Sequence, residues 1–368
     1  MALHQTLRFA TTNPDFFATV TKRVNEYFKS NGISRHANTE MVVKTIFMFC
    51  LYFIPYACIV SGAFLNPLVL LAFCVLMGLG TAGIGLSIMH DANHNSYSAK
   101  AWINETIGYA LNLIGGNAFT WKVQHNVLHH TFTNIHDADE DISPRGVLRM
   151  CPKSTWKPVH QYQHIYAWPL YGLLTFVWTA FKDYGRIIRY QKDGLVAKMK
   201  TSYGKEWMIL IISKIIYITY TLVIPALILP FAWYWIFAGF FIMHFISGFI
   251  LAIIFQPAHV IDGTEYPDPD PNGRLENNWA IHQLHTTTNF AQRSRIFSWY
   301  VGGLNLQVEH HLFPNICHVH YKRISGIVRS TAEEFNLPYK SYNTFAQALA
   351  GHKRLLKSLG KRPEVSAA

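Results

Sequence analysis

The chain has 368 residues, of which 50% are hydrophobic and only 14% are charged, and its net charge at pH 7 is +11. A composition this apolar, with a positive mean hydropathy, argues against a pair of soluble domains and predicts a membrane protein. The basic residues are scattered beside apolar segments and form no nucleic-acid-binding motif. We therefore expect contacts with anionic lipid headgroups and no nucleic acid partner.

The N-terminal residues 1–40 alternate in charge and contain no hydrophobic run of the signal-peptide kind, so we predict a cytoplasmic lead-in. Within it, residues 18–28 are predicted to form a short amphipathic helix that lies on the membrane surface. The five cysteines show no CxxC pair and no disulfide spacing, so no disulfide framework is expected.

Four apolar segments are each long enough for the roughly 20 residues that cross a bilayer as a helix. They are residues 41–64, 67–89, 208–230 and 232–255. Their only Asp, Glu, Lys or Arg residues are Lys44 and Lys214. Because a short link joins the two segments of each pair, we predict four transmembrane helices in two hairpins.

The distribution of basic residues predicts the orientation of these helices. The links around residues 61–67 and 229–233 contain no Lys or Arg, whereas the N-terminus, residues 100–205 and the C-terminal third contain nearly all of them. The positive-inside rule therefore places both termini and the long middle segment in the cytoplasm.

Three histidine-rich motifs occur outside the span interiors, namely HDANH at residues 90–94, HNVLHH at 125–130 and QVEHHLFP at 307–314. Helical residues three and four apart share a face, so each motif forms a one-sided cluster. The clusters are His90 with His94, His125 with His129 and His130, and Gln307 with His310 and His311.

Three such clusters favour metal binding over the alternative, in which the histidines cap helices or line a polar core. Imidazole ligands without cysteine suit iron, zinc, copper or nickel. About eight nitrogen ligands are twice what one tetrahedral zinc takes, so two metals are predicted. All three clusters fall on the predicted cytoplasmic side.

Two further apolar segments are predicted not to span the membrane. Residues 102–119 are interrupted by polar side chains and glycines, so we expect a helix embedded in the membrane interface. Residues 162–181 are long enough for a fifth span, but an odd number of spans would separate the histidine clusters. We therefore predict an amphipathic helix pair on the cytoplasmic surface.

An acidic segment, TNIHDADEDISP, follows the second cluster and includes His136, Asp137, Asp139, Glu140 and Asp141. These side chains could form a carboxylate metal site, or they could accept the free ring N–H of ligating histidines and so orient them. We favour the orienting role, with Asp139 and Asp141 as the participants.

Four further candidate histidines lie outside the three motifs. His259 follows the fourth span at the depth where His90 leaves the second, so we predict it to be an additional metal ligand. His244 lies mid-span, about 22 Å away at 1.5 Å per residue, which favours a hydrogen bond or a place on the substrate path. His282 and His285 could supplement the metal site, but we favour structural roles for them.

The three motifs, in this order and around two hairpins, resemble the histidine boxes of the integral-membrane fatty acid desaturases. The longer stretch GGLNLQVEHHLFP resembles the front-end branch, with its linoleoyl-CoA-desaturase-like and acyl-lipid enzymes. The resemblance covers residues 42–314. Many front-end members carry an N-terminal cytochrome b5 domain with an HPGG motif, which is not found here, so we expect a separate electron donor such as ferredoxin or cytochrome b5 with its reductase.

The resemblance implies an all-α membrane protein, with residues 41–320 as the desaturase domain. Its four spans would carry a cytoplasmic helical cap that holds the metals, and residues 321–368 would form a cytoplasmic helical tail. It also implies two non-haem irons, with O₂ as co-substrate. The implied iron ligands are His90, His94, His125, His129, His130, His259, His310 and His311, with Gln307 in a position where other branches have histidine.

The implied reaction is the oxygen-dependent insertion of a cis double bond into the acyl chain of an acyl-CoA or a membrane lipid. Related membrane hydroxylases, ketolases and acetylenases use the same boxes, so they remain alternatives. A histidine-rich metal transporter is a remote alternative, because it predicts histidines that face one another inside the spans.

Overall fold

The computed structural model describes residues 6–11, 15–142 and 146–363. The regular secondary structure of this part of the chain is helical apart from four two-residue strands, and the chain divides into two compact units. The first unit comprises Met1–Arg35, Gln124–Trp168 and Ile253–Ala368, and the second comprises His36–Val123 and Pro169–Ala252.

Four helices among the described residues are long and apolar enough to cross a membrane, as predicted. They are Thr39–Val60, Pro67–Asn93, Tyr203–Ile228 and Trp233–His259. The third begins earlier than the predicted residue 208, because the Ser202 side chain accepts a hydrogen bond from the Lys205 N–H and caps the helix there. The fourth extends to His259, which is therefore the last residue of the helix rather than a residue beyond it.

Large apolar side chains point outward from these helices. Leu68 and Leu227 are 75% and 80% exposed, and Ile46 and Ile215 are 59% and 61% exposed. Helices with apolar side chains on their outer faces are stable in the hydrocarbon core of a bilayer, whereas monomeric soluble proteins rarely expose apolar patches of this extent.

Small residues bring the span helices of the second unit close together. A Cβ atom on Gly80 would lie 2.9 Å from the Tyr52 backbone nitrogen, and one on Gly78 would lie 2.8 Å from the Met243 carbonyl oxygen. Glycine is therefore required at both contacts, which is typical of packing between membrane helices.

Polar side chains within the second unit pair with one another. The His244 ring contacts the Tyr217 hydroxyl at 2.8 Å and the Thr175 hydroxyl at 3.0 Å, so of its two predicted roles the hydrogen-bonding role is observed. The Lys214 ammonium lies 2.7 Å from the Asp183 carboxylate. Partners of this kind are needed where water cannot solvate polar groups.

The segments predicted as surface helices are broken into short helices. The segment 102–119 overlaps the helices Ala101–Gly108, Ala110–Leu113 and Ala118–Lys122. The segment 162–181 overlaps the helices Gln163–Gly172 and Leu174–Val177 and the π-helical turn Trp178–Lys182. The other helices of the second unit are Asp183–Lys192 and Leu195–Lys198, and π-helical turns occur at Ile84–Ile88 and Thr219–Val223 within the second and third spans.

The N-terminal helix Asp15–Ser30 belongs to the core of the first unit. Its apolar residues Phe16, Val20, Val24 and Phe28 are buried against residues of the C-terminal half of the chain. The prediction that residues 18–28 lie on the membrane surface is therefore wrong. An apolar stripe at helical spacing fits a protein core as well as a bilayer, and periodicity cannot distinguish them.

The remaining elements of the first unit include the segments that carry the second and third histidine motifs. The helices and turns are Val123–His129, His130–Phe132, Glu140–Ile142, Pro158–Tyr162, Trp279–Thr286, Arg295–Tyr300, Gln307–Leu312, His318–His320, Tyr321–Glu334 and Phe345–Gly360. The strands form two parallel pairs, Arg8–Phe9 with Arg274–Leu275 and Asn289–Phe290 with Ser341–Tyr342.

Candidate metal centre

The first motif lies in the second unit, at the end of the helix that contains the second span. A π-helical turn, Ile84–Ile88, precedes it, and the helix ends at Asn93. The His90 and His94 ring centroids are 4.7 Å apart, and each ring also packs on Trp121, at 5.5 and 5.6 Å. The structure therefore places these two imidazoles together, as the one-turn spacing predicts.

The second motif lies in the first unit, on the π-helical segment Val123–His129 rather than on the predicted α-helix. The wider turn brings His125 within 5.3 Å of His129 and within 4.7 Å of His130, measured between ring centroids. Residues four and five apart thus share a face. Single π-helical turns occur frequently at functional sites.

The third motif forms the buried helix Gln307–Leu312, and its histidines meet those of the second motif and His259. The ring of His311 lies 4.3 Å from that of His130 and 4.8 Å from that of His259. One ring nitrogen from each of His129, His259 and His311 lies within 4.8 Å of the others. The same limit holds for His130, His310 and His311.

Hydrogen bonds at Nδ1 determine which nitrogen of His129, His259 and His311 is available as a ligand. His129 contacts the Asp139 carboxylate at 3.0 Å, and His259 contacts the Thr286 carbonyl oxygen at 3.2 Å. Both partners are acceptors, so Nδ1 carries the proton and a neutral ring leaves its Nε2 lone pair bare. Bare imidazole nitrogen is the form that binds metals.

Gln283 determines the orientation of His311 in the same way. Its side-chain nitrogen donates to the His130 carbonyl at 3.3 Å, so its Oε1 atom is the acceptor that faces His311 Nδ1 at 2.8 Å. The Thr133 hydroxyl also donates to this oxygen, at 3.0 Å. The sequence motifs did not single out Gln283, whose one signal is its position next to His282.

The imidazoles of His125, His130 and His310 meet through their Nε2 atoms. His130 Nε2 lies 2.9 Å from His310 Nε2 and 3.2 Å from His125 Nε2. The Nδ1 atom of His310 contacts the Tyr321 hydroxyl at 3.1 Å, a partner that the sequence did not indicate. Three imidazole nitrogens that converge in this way can bind one metal ion.

Asp139 is held in position by several groups. Its carboxylate accepts hydrogen bonds from the backbone N–H groups of Asn134 and Asp141, each at 2.9 Å, besides its contact with His129. Burial lowers the pKa of His129, but the Asp139 carboxylate more than offsets this effect and the pKa is raised. Burial raises the pKa of Asp139, yet His129 and the two N–H groups lower it overall.

Asp141 lies at the edge of this group. Its carboxylate is 3.5 Å from His129 Nδ1, and it accepts a hydrogen bond from Gln124. One oxygen of Asp141 lies within 4.8 Å of ring nitrogens of His125 and His129, so Asp141 is also a candidate ligand.

The other candidate residues lie outside these groups. His136 pairs with the exposed Asp137 at 3.2 Å, and His285 pairs with Glu265 at 2.6 Å. His282 donates from Nε2 to the Thr133 carbonyl at 2.8 Å, and burial lowers its pKa to about 4, so it is a neutral structural residue.

Gln307 is buried, and its side-chain nitrogen donates to the Leu304 carbonyl at 2.8 Å. Its side chain also approaches the His259 ring. The neighbouring Glu309 is completely buried, and burial raises its pKa to about 7, although hydrogen bonds from Tyr339 and Asn289 oppose this effect.

The donor set of the first unit is compatible with a metal ion such as iron. The Nε2 atoms of His259 and His311 are buried, and neither makes a hydrogen bond to any of the described residues. A buried polar atom without a partner is costly, so both atoms are suited to bind a metal ion. Burial and the neighbouring imidazoles lower the pKa of His311, which keeps its ring neutral and able to bind metal.

Replacement of Asp139 by asparagine is expected to weaken iron binding by about 10- to 100-fold, the usual cost of losing a group that orients a ligating histidine. Asparagine offers one acceptor oxygen where Asp139 accepts from three N–H groups. Iron content after a chelator challenge measures the effect. Asp137→Asn in the same loop is the control, because Asp137 is exposed and asparagine tolerates its φ of 63°. Equal iron retention by the two variants would contradict the orienting role.

Four helices of membrane-spanning length, together with buried histidine groups that could hold a metal ion, are typical of a membrane protein with a metal centre. A family model for the fatty acid desaturases matches residues 65–343. The chain therefore belongs to the fatty acid desaturase family.

Comparison with individual proteins shows which desaturases the chain resembles. It is 37% identical over 362 residues to the acyl-lipid (8-3)-desaturase of Physcomitrium patens, covering 96% of this chain and 74% of that protein. It is 33% identical over 347 residues to the sn-1 linoleoyl-lipid 6-desaturase of Synechocystis sp., covering 94% of this chain and 96% of that protein. The sn-1 linoleoyl-lipid 6-desaturase of Arthrospira platensis is 34% identical over 348 residues, covering 95% and 93%.

These comparisons confirm the resemblance seen in the histidine motifs. The chain is a fatty acyl desaturase of the front-end type, an oxidoreductase and an integral membrane protein. Each of the three relatives is named as a desaturase, which favours desaturation over the hydroxylase, ketolase, acetylenase and transporter alternatives.

Proposed function

We propose that this protein binds two irons and uses O₂ to insert a cis double bond near the carboxyl end of an acyl chain esterified to a membrane lipid. The observation that carries the proposal is the set of buried imidazoles of His129, His259 and His311, whose Nδ1 atoms contact acceptors and each of which has a ring nitrogen within 4.8 Å of the other two.

The proposed ligands follow the three boxes. In the first unit they are His125, His129, His130, His259, His310 and His311, supported by the distances between their ring nitrogens. His90 and His94 are included because of their motif and their one-sided arrangement. Gln307 is proposed as a weaker oxygen ligand, and Asp139 and Asp141 as the residues that orient His129.

The irons would supply the oxidising power that no side-chain acid or base has, because the substrate C–H bonds are unactivated. The protein binds the metals, orients the imidazoles and excludes water from the site. The six histidines proposed as ligands in the first unit are at most 5% exposed, so little solvent reaches the reacting position.

The membrane arrangement is proposed from the spans and the basic residues. The four spans would form two hairpins, with both termini and all three boxes on the cytoplasmic side beneath a helical cap. This orientation would give the metal centre access to a separate cytoplasmic electron donor, such as ferredoxin or cytochrome b5 with its reductase. A reductant-coupled assay with each purified donor tests this part of the proposal.

The substrate proposal depends on the relatives. Two relatives that match almost their whole length are named linoleoyl-lipid 6-desaturases, and a third is named an acyl-lipid desaturase. We therefore favour a lipid-linked chain that already carries double bonds over an acyl-CoA. The product would gain its new double bond between the existing ones and the carboxyl group.

The test is expression in a host that lacks polyunsaturated lipids, with linoleate or longer polyunsaturated acids in the medium. Mass spectrometry locates the new double bond and identifies the lipid or CoA pool in which the product first appears. We expect a new double bond between the existing double bonds and the carboxyl group, and we expect the product to appear first in membrane lipid. A hydroxylated product, or a product that appears first in acyl-CoA, would contradict the proposal.

A further inference from the structure

The third box contains a buried acidic residue, Glu309, whose carboxylate accepts hydrogen bonds from side chains outside the three boxes. Glu309 lies between Val308 and His310 on the helix Gln307–Leu312, and its side chain is inaccessible to solvent. A buried carboxylate requires hydrogen-bond partners. Among the described residues, two side chains donate to it: the side-chain nitrogen of Asn289, at 2.9 Å, and the hydroxyl of Tyr339, at 2.7 Å.

The two partners of Glu309 also bind each other and the box helix. The Asn289 side-chain nitrogen donates to the Tyr339 hydroxyl at 2.9 Å, and its oxygen accepts from the Val308 N–H at 2.9 Å. Asn289 therefore contacts two consecutive residues of the box. Its own position is set by a parallel strand pair, in which Asn289–Phe290 is paired with Ser341–Tyr342.

Tyr339 is held from its other side as well. Gln292 donates to its hydroxyl at 3.0 Å, Arg329 donates to Gln292 at 3.0 Å, and the Arg329 guanidinium lies 4.9 Å from the centre of the Tyr339 ring. The hydroxyl thus donates to Glu309 and accepts from Asn289 and Gln292. Such a connected polar network specifies one arrangement of its members.

The geometry of the box helix explains why an external support is needed. The helix has six residues, and a helix this short is not stable without tertiary contacts. Its metal-facing residues are Gln307, His310 and His311, at i, i+3 and i+4. Val308 and Glu309 occupy the opposite side, where the network contacts them.

We propose that Tyr339 and Asn289 are positioning residues of the metal centre, which act through Glu309 to hold His310 and His311 toward the metal. The inference rests on the proposed iron function. It also makes the C-terminal region that follows the boxes part of the metal site.

The test is Tyr339→Phe, which removes one hydroxyl and retains the ring. Iron affinity is measured by chelator competition on purified protein in detergent, and the thermal unfolding temperature is measured on the iron-free protein. We expect iron binding to weaken by about 10-fold or more, as for other groups that orient ligands. The iron-free protein should unfold close to the wild-type temperature.

Tyr342→Phe is the matched control. Tyr342 lies on the same strand pair, and its hydroxyl donates to the Asp262 carbonyl at 3.2 Å without contacting the box. It should retain wild-type iron affinity. Glu309→Gln is a second variant, expected to weaken iron binding because the amide cannot accept from both partners with the same strength. Combining it with Tyr339→Phe should add little, since both changes break one network.

The outcomes separate the inference from the function on which it rests. Wild-type iron affinity in both Tyr339→Phe and Glu309→Gln would overturn this inference alone. A loss of affinity matched by an equal loss in iron-free stability would also overturn it, because the network would then be only structural. Wild-type protein that binds no iron would overturn the proposed function and the inference with it.

Discussion

His311→Ala is expected to abolish both iron binding and product formation. His311 Nε2 is buried and has no hydrogen-bond partner among the described residues, while Gln283 holds Nδ1 at 2.8 Å. The ring belongs to two groups of converging nitrogens, one with His129 and His259 and one with His130 and His310. Its removal therefore takes a ligand from the point where the two groups meet.

The measurements are iron stoichiometry on the purified protein and double-bond formation in the expression host. His285→Ala is the control, because this histidine belongs to the same unit but pairs with Glu265 at 2.6 Å. The control should retain iron and product. Membrane-inserted His311→Ala protein that still contains two irons would remove the third box from the proposed metal centre.

Lys214→Met is expected to destabilise the protein by about 3–5 kcal/mol, the usual cost of removing one partner from a buried ion pair. The Lys214 ammonium lies 2.7 Å from Asp183 and donates to the Gly115 carbonyl at 2.6 Å. Without it, the fully buried Asp183 carboxylate retains, among the described residues, its bonds from Thr120 and Trp178, at 2.6 and 2.7 Å. Those two donors do not neutralise its charge.

Thermal unfolding in detergent measures the effect, and a second substitution tests its cause. Asp183→Asn combined with Lys214→Met should recover part of the stability, because asparagine can still accept from Thr120 and Trp178 without a buried charge. Lys205→Met is the control, since Lys205 is an exposed residue on the same helix. A double variant no more stable than Lys214→Met would show that the loss does not come from an unpaired charge.

The helix Asp15–Ser30 illustrates what periodicity leaves undetermined. Its residues Phe16, Val20, Val24 and Phe28 mark an apolar face, but the same face suits a membrane surface and a protein core. The structure buries it against residues more than 250 positions later, such as Val308 and Ile324. Nothing local in the sequence specifies that partner.

The second histidine motif shows the same limit at shorter range. Its residue spacing predicts a one-sided cluster, and His125, His129 and His130 do lie together. The segment is nevertheless π-helical rather than α-helical. Local residue propensities do not distinguish an α-helix from a π-helix, so packing against other segments determines which of the two forms.

The sequence alone determined the features that depend on residue type and local spacing. These are the four apolar helices, the three histidine motifs, and through them the desaturase family. Hydrophobicity and i, i+4 spacing are properties of short stretches, so they can be recognised in the sequence without knowledge of the tertiary structure.

Only the tertiary structure determines which ring nitrogen of His129, His259 and His311 is left available as a ligand. Asp139, the Thr286 carbonyl and Gln283 each accept from one Nδ1 atom, and Gln283 reaches His311 from 28 residues away along the chain. Hydrogen bonds of this kind depend on the angle and distance between two atoms, which only the folded chain determines. The choice between metal ligand and buried structural histidine is made by those angles and distances.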